Sequence, residues 1–482
     1  MYTVSRRIHG VVQSRPPKNV NKSMQTGMIE VKANKVEALN SSSECIPFTM
    51  KEKTGIHEQL GLKYRYLQLR QPEFQKRLRF RSEFIRKIRN YLCEDRGFVD
   101  VETPYLFKRT PGGAQEFIVP SQFRGQFYSL PQSPQQFKQL LMVAGTDRYM
   151  QIARCFRDEL AKPDRQPEFT QLDIEASFIS KEDIYDVVES TLAYAWPEVC
   201  KYNDVTEELK TPFPRMSYEE AMKRYGSDKP DVRFDMELEN FRCGENEQFA
   251  FFVIPAGYAK LLPKDFFSKL LSLVVEKDTL SLSVLPYDKF KFVEEVKSPG
   301  LLNLKPGEVA ILASGADHPW RKALGMARVL IAKELDSKGR FVSEHHPFTA
   351  PIESEVDLLY TEPAMVHGLH YDLVCNGQEV GGGSMRIHQA DMQRYVLENI
   401  LREDVSPLRH LLEALSFGAP PHGGIALGLD RLIAIFTNAR TVRDVIAFPK
   451  TSEGRDLLSN SPDAVPSTDL DRYFIRILRD GE

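Results

Sequence analysis

The pattern of apolar and polar positions near the C-terminus predicts a glycine-rich strand that turns directly into a helix. Within residues 418–436, the consecutive apolar residues Ile425 to Leu427 indicate a short buried strand. Apolar side chains then recur at helical spacing, at Leu429, Leu432, Ile433 and Phe436. Arg431 falls on the first turn of this helix, where its planar cation can lie over a purine ring or face a polyphosphate. An arginine at the edge of a buried helix is the commoner alternative.

Similar patterns predict a long helix and an acidic hairpin. The helix ends at Gly97 and has an apolar face formed by Phe84, Ile85, Ile88 and Leu92. Further along the chain, the turn signal Asn376-Gly377 lies between Asp372 and Glu379. A hairpin at this turn could bring both carboxylates together, and hard oxygen ligands suit Mg²⁺ bound jointly with phosphates. An exposed acidic hairpin without a metal is the alternative.

Length, charge and cysteine content exclude several classes of protein. The 482 residues suffice for two or three domains. Because the formal net charge is only -3, contact with nucleic acid must come from local basic patches. The six cysteines show no CxxC spacing, which predicts reduced thiols in an intracellular protein and no zinc site. No apolar run approaches the length of a membrane span, so we expect a soluble protein without a membrane partner.

Three segments resemble the signature motifs of class II aminoacyl-tRNA synthetases, in the order found in that family. Residues 97–106 resemble the first motif, residues 154–159 with 165–175 the second, and residues 418–436 the third. Matches at QSPQQFKQLLM, SEHHPFTAP and YDLVCNGQEVGGGSMRIH extend the resemblance to aspartyl-tRNA synthetases of bacterial and mitochondrial type. The resemblance implies an α+β fold, with a mixed, mostly antiparallel sheet flanked by helices, an inserted α+β domain and a partial N-terminal OB-like barrel.

The same resemblance divides the chain into five parts. These are a partial OB-like anticodon-binding barrel (1–48), a hinge (49–75), a first part of the catalytic domain with motifs 1 and 2 (76–235), an insertion domain (236–340) and a second part of the catalytic domain with motif 3 (341–482). The barrel is expected to lack its opening strands, with which the family reads the anticodon.

The implied activity is ATP-dependent activation of L-aspartate to aspartyl-adenylate, followed by transfer to tRNA. The implied assembly is a homodimer that meets near Pro104, and the tRNA is the aspartate acceptor, with the asparagine acceptor left open. At Gly112, bacterial relatives usually have a glutamate whereas mitochondrial relatives share the glycine. This feature favours the mitochondrial matrix over the cytoplasm. The basic, serine-containing segment before Glu30 is also compatible with a presequence.

For ATP, the resemblance implies that Arg157 binds the α-phosphate and that Glu159 and Gln166 hold the adenine and ribose end. Arg431 would lie over the base or at the γ-phosphate, so Arg157 and Arg431 are the predicted catalytic residues. The predicted ligands of Mg²⁺ are Asp372 and Glu379. Further predicted ATP contacts are Glu379, Gly428, Leu429 and Asp430. No protein nucleophile is needed, because attack of a carboxylate on the α-phosphate is mainly a positioning and electrostatic problem.

The pocket for the amino acid is predicted at the start of another helix. Ser133 and Gln136 have the spacing of a capping box, which would place Lys138 on the same helix face as its neighbour three residues earlier. The resemblance puts Lys138 and Arg386 at the side-chain carboxylate of the substrate and Asp173 at its ammonium. The predicted aspartate-binding residues are Gln135, Lys138, Asp173, His345 and Arg386. Two fixed cations favour aspartate over asparagine, since an amide would direct its NH2 group at cationic donors.

Two alternatives remain at this point. One is an asparagine-specific synthetase, which the pair of cations opposes. The other is a truncated variant with intact motifs but little activity, acting at most as a dimerising or RNA-binding protein. Relatives carry an apolar strand with a tryptophan before the position of His345, whereas residues 332–351 run from a helical pattern directly into it. We therefore predict that a central strand of the catalytic sheet is missing.

Overall fold

The computed structural model describes residues 5–22, 24, 26–40, 45–48, 56–110, 114–159, 164–233, 237–243, 247–254, 281–286, 305, 309–314 and 347–478. Its strands are β1 Ser5–Ser14, β2 Ile29–Asn40, β3 Val99–Asp100, β4 Ile118–Pro120, β5 Phe127–Ser129, β6 Arg148–Phe156, β7 Glu168–Ser177, β8 Glu239–Cys243, β9 Glu247–Ile254, β10 Ser281–Pro286, β11 Val309–Ser314, β12 His370–Cys375, β13 Gln378–Met385 and β14 His422–Gly428. Its helices are α1 Glu58–Lys63, α2 Arg65–Gln68, α3 Pro72–Asn90, α4 Gln135–Val143, α5 Lys181–Asn203, α6 Tyr218–Tyr225, α7 Leu358–Thr361, α8 Ala390–Tyr395, α9 Arg409–Ser416, α10 Leu429–Phe436 and α11 Ser467–Arg472. Within these ranges, no helix is long and apolar enough to cross a membrane.

A six-stranded sheet forms the centre of the fold, in the order β12-β13-β14-β7-β6-β3. Its strands pair antiparallel, except that β3 pairs parallel with β6. This confirms the predicted mixed, mostly antiparallel sheet. The second motif is the β6–β7 hairpin, and the third is β14 followed by α10, as the apolar pattern predicted.

The main hydrophobic core lies between this sheet and the helices α3, α5 and α10. Phe84 and Ile88 of α3 and Leu92 of the turn after it, which share the predicted apolar face, are fully buried and belong to one cluster with residues of all these elements. After α3 the chain makes a π-helical turn at Tyr91–Asp95 and leaves the helix at Gly97, whose φ is +69°. A left-handed backbone conformation favours glycine, so the predicted helix stop is confirmed.

Two smaller sheets lie in the predicted accessory regions. Four antiparallel strands in the order β10-β11-β9-β8 fall within the predicted insertion domain. Near the N-terminus, β1 and β2 form a long antiparallel hairpin, from the pair Ser14 and Ile29 to the pair Ser5 and Asn40. The boundaries of the barrel, hinge and insertion remain predictions, and the helical pattern before His345 lies outside the described residues.

The predicted loss of a central strand needs correction. The six strands of the catalytic sheet are hydrogen-bonded to one another in unbroken order, so a strand lost before His345 cannot have stood between them. Only an edge position, beyond β12 or β3, remains open to such a strand. Loss at an edge leaves one row of backbone groups unpaired, and these groups can be hydrated, which is a smaller penalty than a gap in the sheet.

Candidate active site

A glycine of β14 lies against the acidic side chains of β7. Gly424 pairs with Glu175, and Ala426 pairs with Asp173. A Cβ atom on Gly424 would lie 2.1 Å from Glu175 Oε2 and 2.2 Å from the backbone oxygen of Ile174. Only glycine fits this position, because any side chain would overlap a carboxylate and a backbone group. The third motif thereby forms one wall of a buried polar pocket.

Two cations and two carboxylates form a fully buried cluster beside this wall. Lys138 Nζ lies 3.1 Å from Asp173 Oδ1 and 3.2 Å from Glu175 Oε2. Arg386 donates from Nε to Glu175 Oε1 at 3.0 Å and from one terminal nitrogen to the hydroxyl of Ser384 at 2.7 Å. The structure therefore brings together Lys138, Asp173 and Arg386, which the sequence comparison grouped. It also adds Glu175, which bridges the two cations.

The pKa values of the two carboxylates in this cluster shift in opposite directions, although burial opposes ionisation of both. Burial raises the pKa of Asp173, and the attraction of Lys138 only partly opposes it. For Glu175, burial also opposes ionisation, but the attraction of Arg386 and Lys138 outweighs it and lowers the pKa to about 2. Glu175 is thus satisfied by protein cations, whereas Asp173 would gain from an additional positive charge.

Several buried polar atoms in this pocket have no hydrogen-bond partner among the described residues. They are Asp173 Oδ2, Gln135 Nε2 and, in the second motif, Arg157 Nε. Buried polar groups in folded proteins are nearly always paired, so such atoms indicate the place of a ligand or of water. An ammonium can donate to Asp173 Oδ2, and a carboxylate can accept from Gln135 Nε2.

Helix α4 holds Gln135 and Lys138 on its buried face, but the predicted capping box is wrong. The helix begins at Gln135 with Pro134 at the N-cap, and no side chain caps it. Gln136 instead donates to the hydroxyl of Thr110 at 2.9 Å. This long-range contact competes with the local cap. His345 and Gly112 lie outside the described residues.

Arg157 and Arg431, the two predicted catalytic residues, are half-buried next to the sheet. The guanidinium of Arg157 lies 5.1 Å from the ring centre of Phe169. Arg431 donates to the backbone oxygen of Glu379 and forms an ion pair with Asp164 at 3.2 Å. Glu159 is exposed and pairs with Arg165 at 3.3 Å. Arg157 of the second motif and Arg431 of the third are therefore both partly accessible.

The side chains of three other predicted ATP contacts are buried in the fold. Leu429 is fully buried in the core. The carboxylate of Asp430 is held by Arg81 at 2.5 Å and by the backbone amide of Thr170 at 2.9 Å. Gln166 accepts from the backbone amide of Lys450 at 2.7 Å and donates to its oxygen at 3.2 Å. The contacts of these three residues with ATP stay predictions, and Gly428 is the N-cap of α10 beside Arg431.

The acidic hairpin forms as predicted and brings its two carboxylates to one point. Asn376 and Gly377 both have positive φ, at 52° and 72°. Above Gly382, an added Cβ atom would lie 2.9 Å from Asp372 Oδ1 and 3.3 Å from Glu379 Oε1. Loss of hydration and then the repulsion of Glu379 raise the pKa of Asp372 to about 6. A divalent cation would relieve this repulsion, so the residues present fit Mg²⁺.

Comparison with known proteins agrees with this geometry. The family model described as tRNA synthetases class II (D, K and N) matches residues 57–452. The mitochondrial aspartate–tRNA ligase of Mus musculus is 45% identical, over 98% of this chain and 79% of the relative. The aspartate–tRNA(Asp/Asn) ligase of Opitutus terrae is 42% identical, over 97% of this chain and 87% of the relative.

This chain belongs to the aspartate–tRNA ligase family. The alignment with the mouse relative extends over 525 residues, more than the 482 of this chain, so the relative has segments that this chain lacks.

Solved structures show the same fold. The asparaginyl-tRNA synthetase of Entamoeba histolytica in complex with asparaginyl-adenylate gives a TM-score of 0.59 at 17% identity, over 93% of this chain and 83% of that one. A putative aspartyl-tRNA synthetase of Leishmania major gives 0.55 at 17% identity, over 92% and 79%. At this identity the likeness extends to the fold alone.

Sequence reasoning missed one buried member of the ligase pocket for which a signal existed. Asp173 and Glu175 are two residues apart on a strand, so their side chains project from the same face. That pattern indicates a second carboxylate beside Lys138, which Arg386 then satisfies. The contact of Lys229 with Glu379, at 3.1 Å, had no such signal.

Proposed function

We propose that this chain activates L-aspartate with ATP to aspartyl-adenylate and then transfers the aspartyl group to tRNA. The observation that carries the proposal is the pocket around the buried cluster, where Asp173 Oδ2 and Gln135 Nε2 lack partners among the described residues. The ammonium of an amino acid would supply the positive charge that Asp173 needs. A carboxylate oxygen of the substrate would accept from Gln135.

Selection of aspartate follows from the donors that the cluster still offers. The contacts of Lys138 with Asp173 and Glu175 use two of its three N–H groups. Arg386 has five N–H groups, of which its contacts with Glu175, Ser384 and the backbone of Gly424 engage four at most. The remaining donors match the side-chain carboxylate of aspartate. The NH2 group of asparagine would face these donors without an acceptor, which opposes the asparagine-specific alternative.

Activation itself needs positioning and charge stabilisation. Arg157 and Arg431 would hold the triphosphate, with Arg157 at the α-phosphate where negative charge develops in the transition state. Asp372 and Glu379 would hold Mg²⁺, which when bound neutralises phosphate charge and orients the leaving pyrophosphate. The substrate carboxylate is the nucleophile, so the protein supplies cations and exclusion of water.

The partners follow from the family and from the surface of the first motif. Tyr105 and Leu106 follow Pro104 directly, and these two side chains and that of Val99 in β3 are each about half exposed. Contiguous exposed apolar side chains of this kind support a homodimer through this surface. We also propose a mitochondrial location, since the mouse relative is a mitochondrial ligase. The tRNA would be the aspartate acceptor, with the asparagine acceptor as the second candidate.

Aspartate-dependent exchange of pyrophosphate into ATP tests the proposal with the purified chain. We expect exchange with aspartate, and kcat/KM for asparagine at least about 100-fold lower, because a buried cationic site rejects an amide strongly. Exchange with asparagine at a comparable rate would support the alternative specificity. Absence of exchange with both amino acids would support the inactive variant.

A further inference from the structure

The segment Ser227–Arg233, between α6 and the predicted insertion domain, packs against the tip of the acidic hairpin. Asp231 is buried, and it lies where a Cβ atom on Gly377 would be 3.2 Å from the Cβ of Asp231. Arg233 holds both carboxylate oxygens of Asp231, at 2.9 and 2.6 Å. The Asp231–Arg233 ion pair stabilises the segment internally, and the close approach of Asp231 to Gly377 places the segment on the turn of the hairpin.

The same segment places Lys229 beside the carboxylate pair formed by Asp372 and Glu379. Lys229 Nζ lies 3.1 Å from Glu379 Oε2 and 3.5 Å from Asp228 Oδ2. Arg431 donates to the backbone oxygen of Glu379 and not to its side chain. The carboxylate of Glu379 is therefore left for contact with Lys229. The side chains of Lys229 and Glu379 are both 37% exposed, which leaves room for exchange with ions from solution.

We propose that Lys229 is the resident counter-ion of the carboxylate pair, and that a divalent cation must displace its ammonium from Glu379 in order to bind there. The inference rests on the proposed magnesium role of Asp372 and Glu379. An ammonium and a metal ion compete for the same oxygen because both need direct contact with it. Lys229 therefore sets the divalent-ion concentration at which the site is filled.

A purely structural role for Lys229 makes a different prediction. If the lysine only attached its segment to the hairpin, its removal would loosen the pair and leave metal affinity equal or weaker. The close packing of Asp231 against Gly377 already holds that segment on the hairpin. Removal of the Lys229 charge is thus expected to strengthen metal binding without releasing the segment.

Binding of Mn²⁺ to the full chain without nucleotide, followed by electron paramagnetic resonance of the free ion, tests this inference. For Lys229→Met we expect a dissociation constant about three- to tenfold lower than for the unchanged protein, because a unit charge beside a half-exposed carboxylate is removed. Lys229→Arg keeps the charge and should bind Mn²⁺ within about twofold of the unchanged protein. Equal or weaker binding by Lys229→Met overturns the inference.

Two sets of variants separate the possible failures. Lys223→Met removes an equal charge from an exposed position on α6 and should leave the affinity for Mn²⁺ unchanged. If it strengthened Mn²⁺ binding as much as Lys229→Met does, the effect would be one of general charge, and competition between Lys229 and the metal ion would be rejected. Asp372→Asn and Glu379→Gln should weaken Mn²⁺ binding strongly. Unchanged binding by both would reject the metal site itself and with it this part of the proposed function. If Lys229→Met does not fold, Lys229→Gln should give the same tightening, and its absence there would equally reject the inference.

Discussion

Replacing Glu175 with glutamine should destabilise the catalytic domain far more than the same replacement elsewhere on the sheet. Glu175 is fully buried and forms ion pairs with Lys138, at 3.2 Å, and with Arg386, at 3.0 Å. Glutamine has nearly the same shape but no charge, and its NH2 group would face two cations. The substitution therefore leaves buried positive charge without compensation while it preserves the packing of β7 against β14.

The loss of unfolding free energy in Glu175→Gln can be estimated in two ways. Removal of one partner from a buried ion pair typically costs about 3 to 5 kcal/mol. The folded-state pKa of Glu175 is lowered from 4.5 to about 2, and each unit corresponds to about 1.4 kcal/mol, which gives about 3 kcal/mol at neutral pH. Because the folded pKa lies below the unfolded one, this stabilisation is present above pH 4.5. It is lost as the pH falls from about 4.5 towards about 2.

Urea unfolding at fixed protein concentration measures this difference. Trp196 of α5 reports on the same core, since its ring contacts Phe436 of α10 at 5.6 Å between centroids. Glu168→Gln is the matched control: Glu168 also has two cationic partners, Arg154 at 2.8 Å and Lys450 at 3.3 Å, but its side chain is 33% exposed. We expect the control to lose less than about 1 kcal/mol.

The pH dependence decides whether the reasoning is correct. The difference in unfolding free energy between the unchanged protein and Glu175→Gln should be about 3 kcal/mol at pH 7 and clearly smaller at pH 3. A difference that stays constant over this range would show that the cost comes from packing and not from ionisation. Equal losses for Glu175→Gln and Glu168→Gln would refute the argument from burial.

Two further substitutions and one insertion test other parts of the protein. Lys138→Met should reduce the preference for aspartate over asparagine in pyrophosphate exchange by about tenfold or more. It should also destabilise the folded protein, because Asp173 and Glu175 lose a shared partner. Unchanged selectivity would reject the assignment of Lys138 to the aspartate pocket. Arg157→Ala should lower exchange by at least about 100-fold with normal circular dichroism, and near-normal exchange would reject its role at the α-phosphate. Insertion of the apolar strand of a mitochondrial relative before His345 should raise solubility and the unfolding temperature; equal values for both chains would show that the shorter connection is tolerated.

The elements that the sequence determined by itself are those specified by neighbouring residues. The strand-to-helix change at Gly428, the helix stop at Gly97 and the hairpin turn at Asn376-Gly377 all formed as predicted. Each depends on local periodicity or on glycine and asparagine tolerating positive φ, so a few adjacent residues suffice. The order of the motifs likewise identified the family before any contact was known.

Tertiary structure decided where the polar side chains point and which partner each one takes. Asp430 follows Gly428 in the third motif, yet its carboxylate pairs with Arg81 of α3, some 349 positions away along the chain. Gln136 has the spacing of a cap but binds Thr110. Charged and amide groups can satisfy themselves with any suitable partner that folding brings near, and leaving a buried charge unpaired costs more than losing a local cap. Sequence spacing therefore predicted the backbone around the site, whereas the placing of Glu175 between two cations, and of Lys229 on Glu379, required the packed sheet.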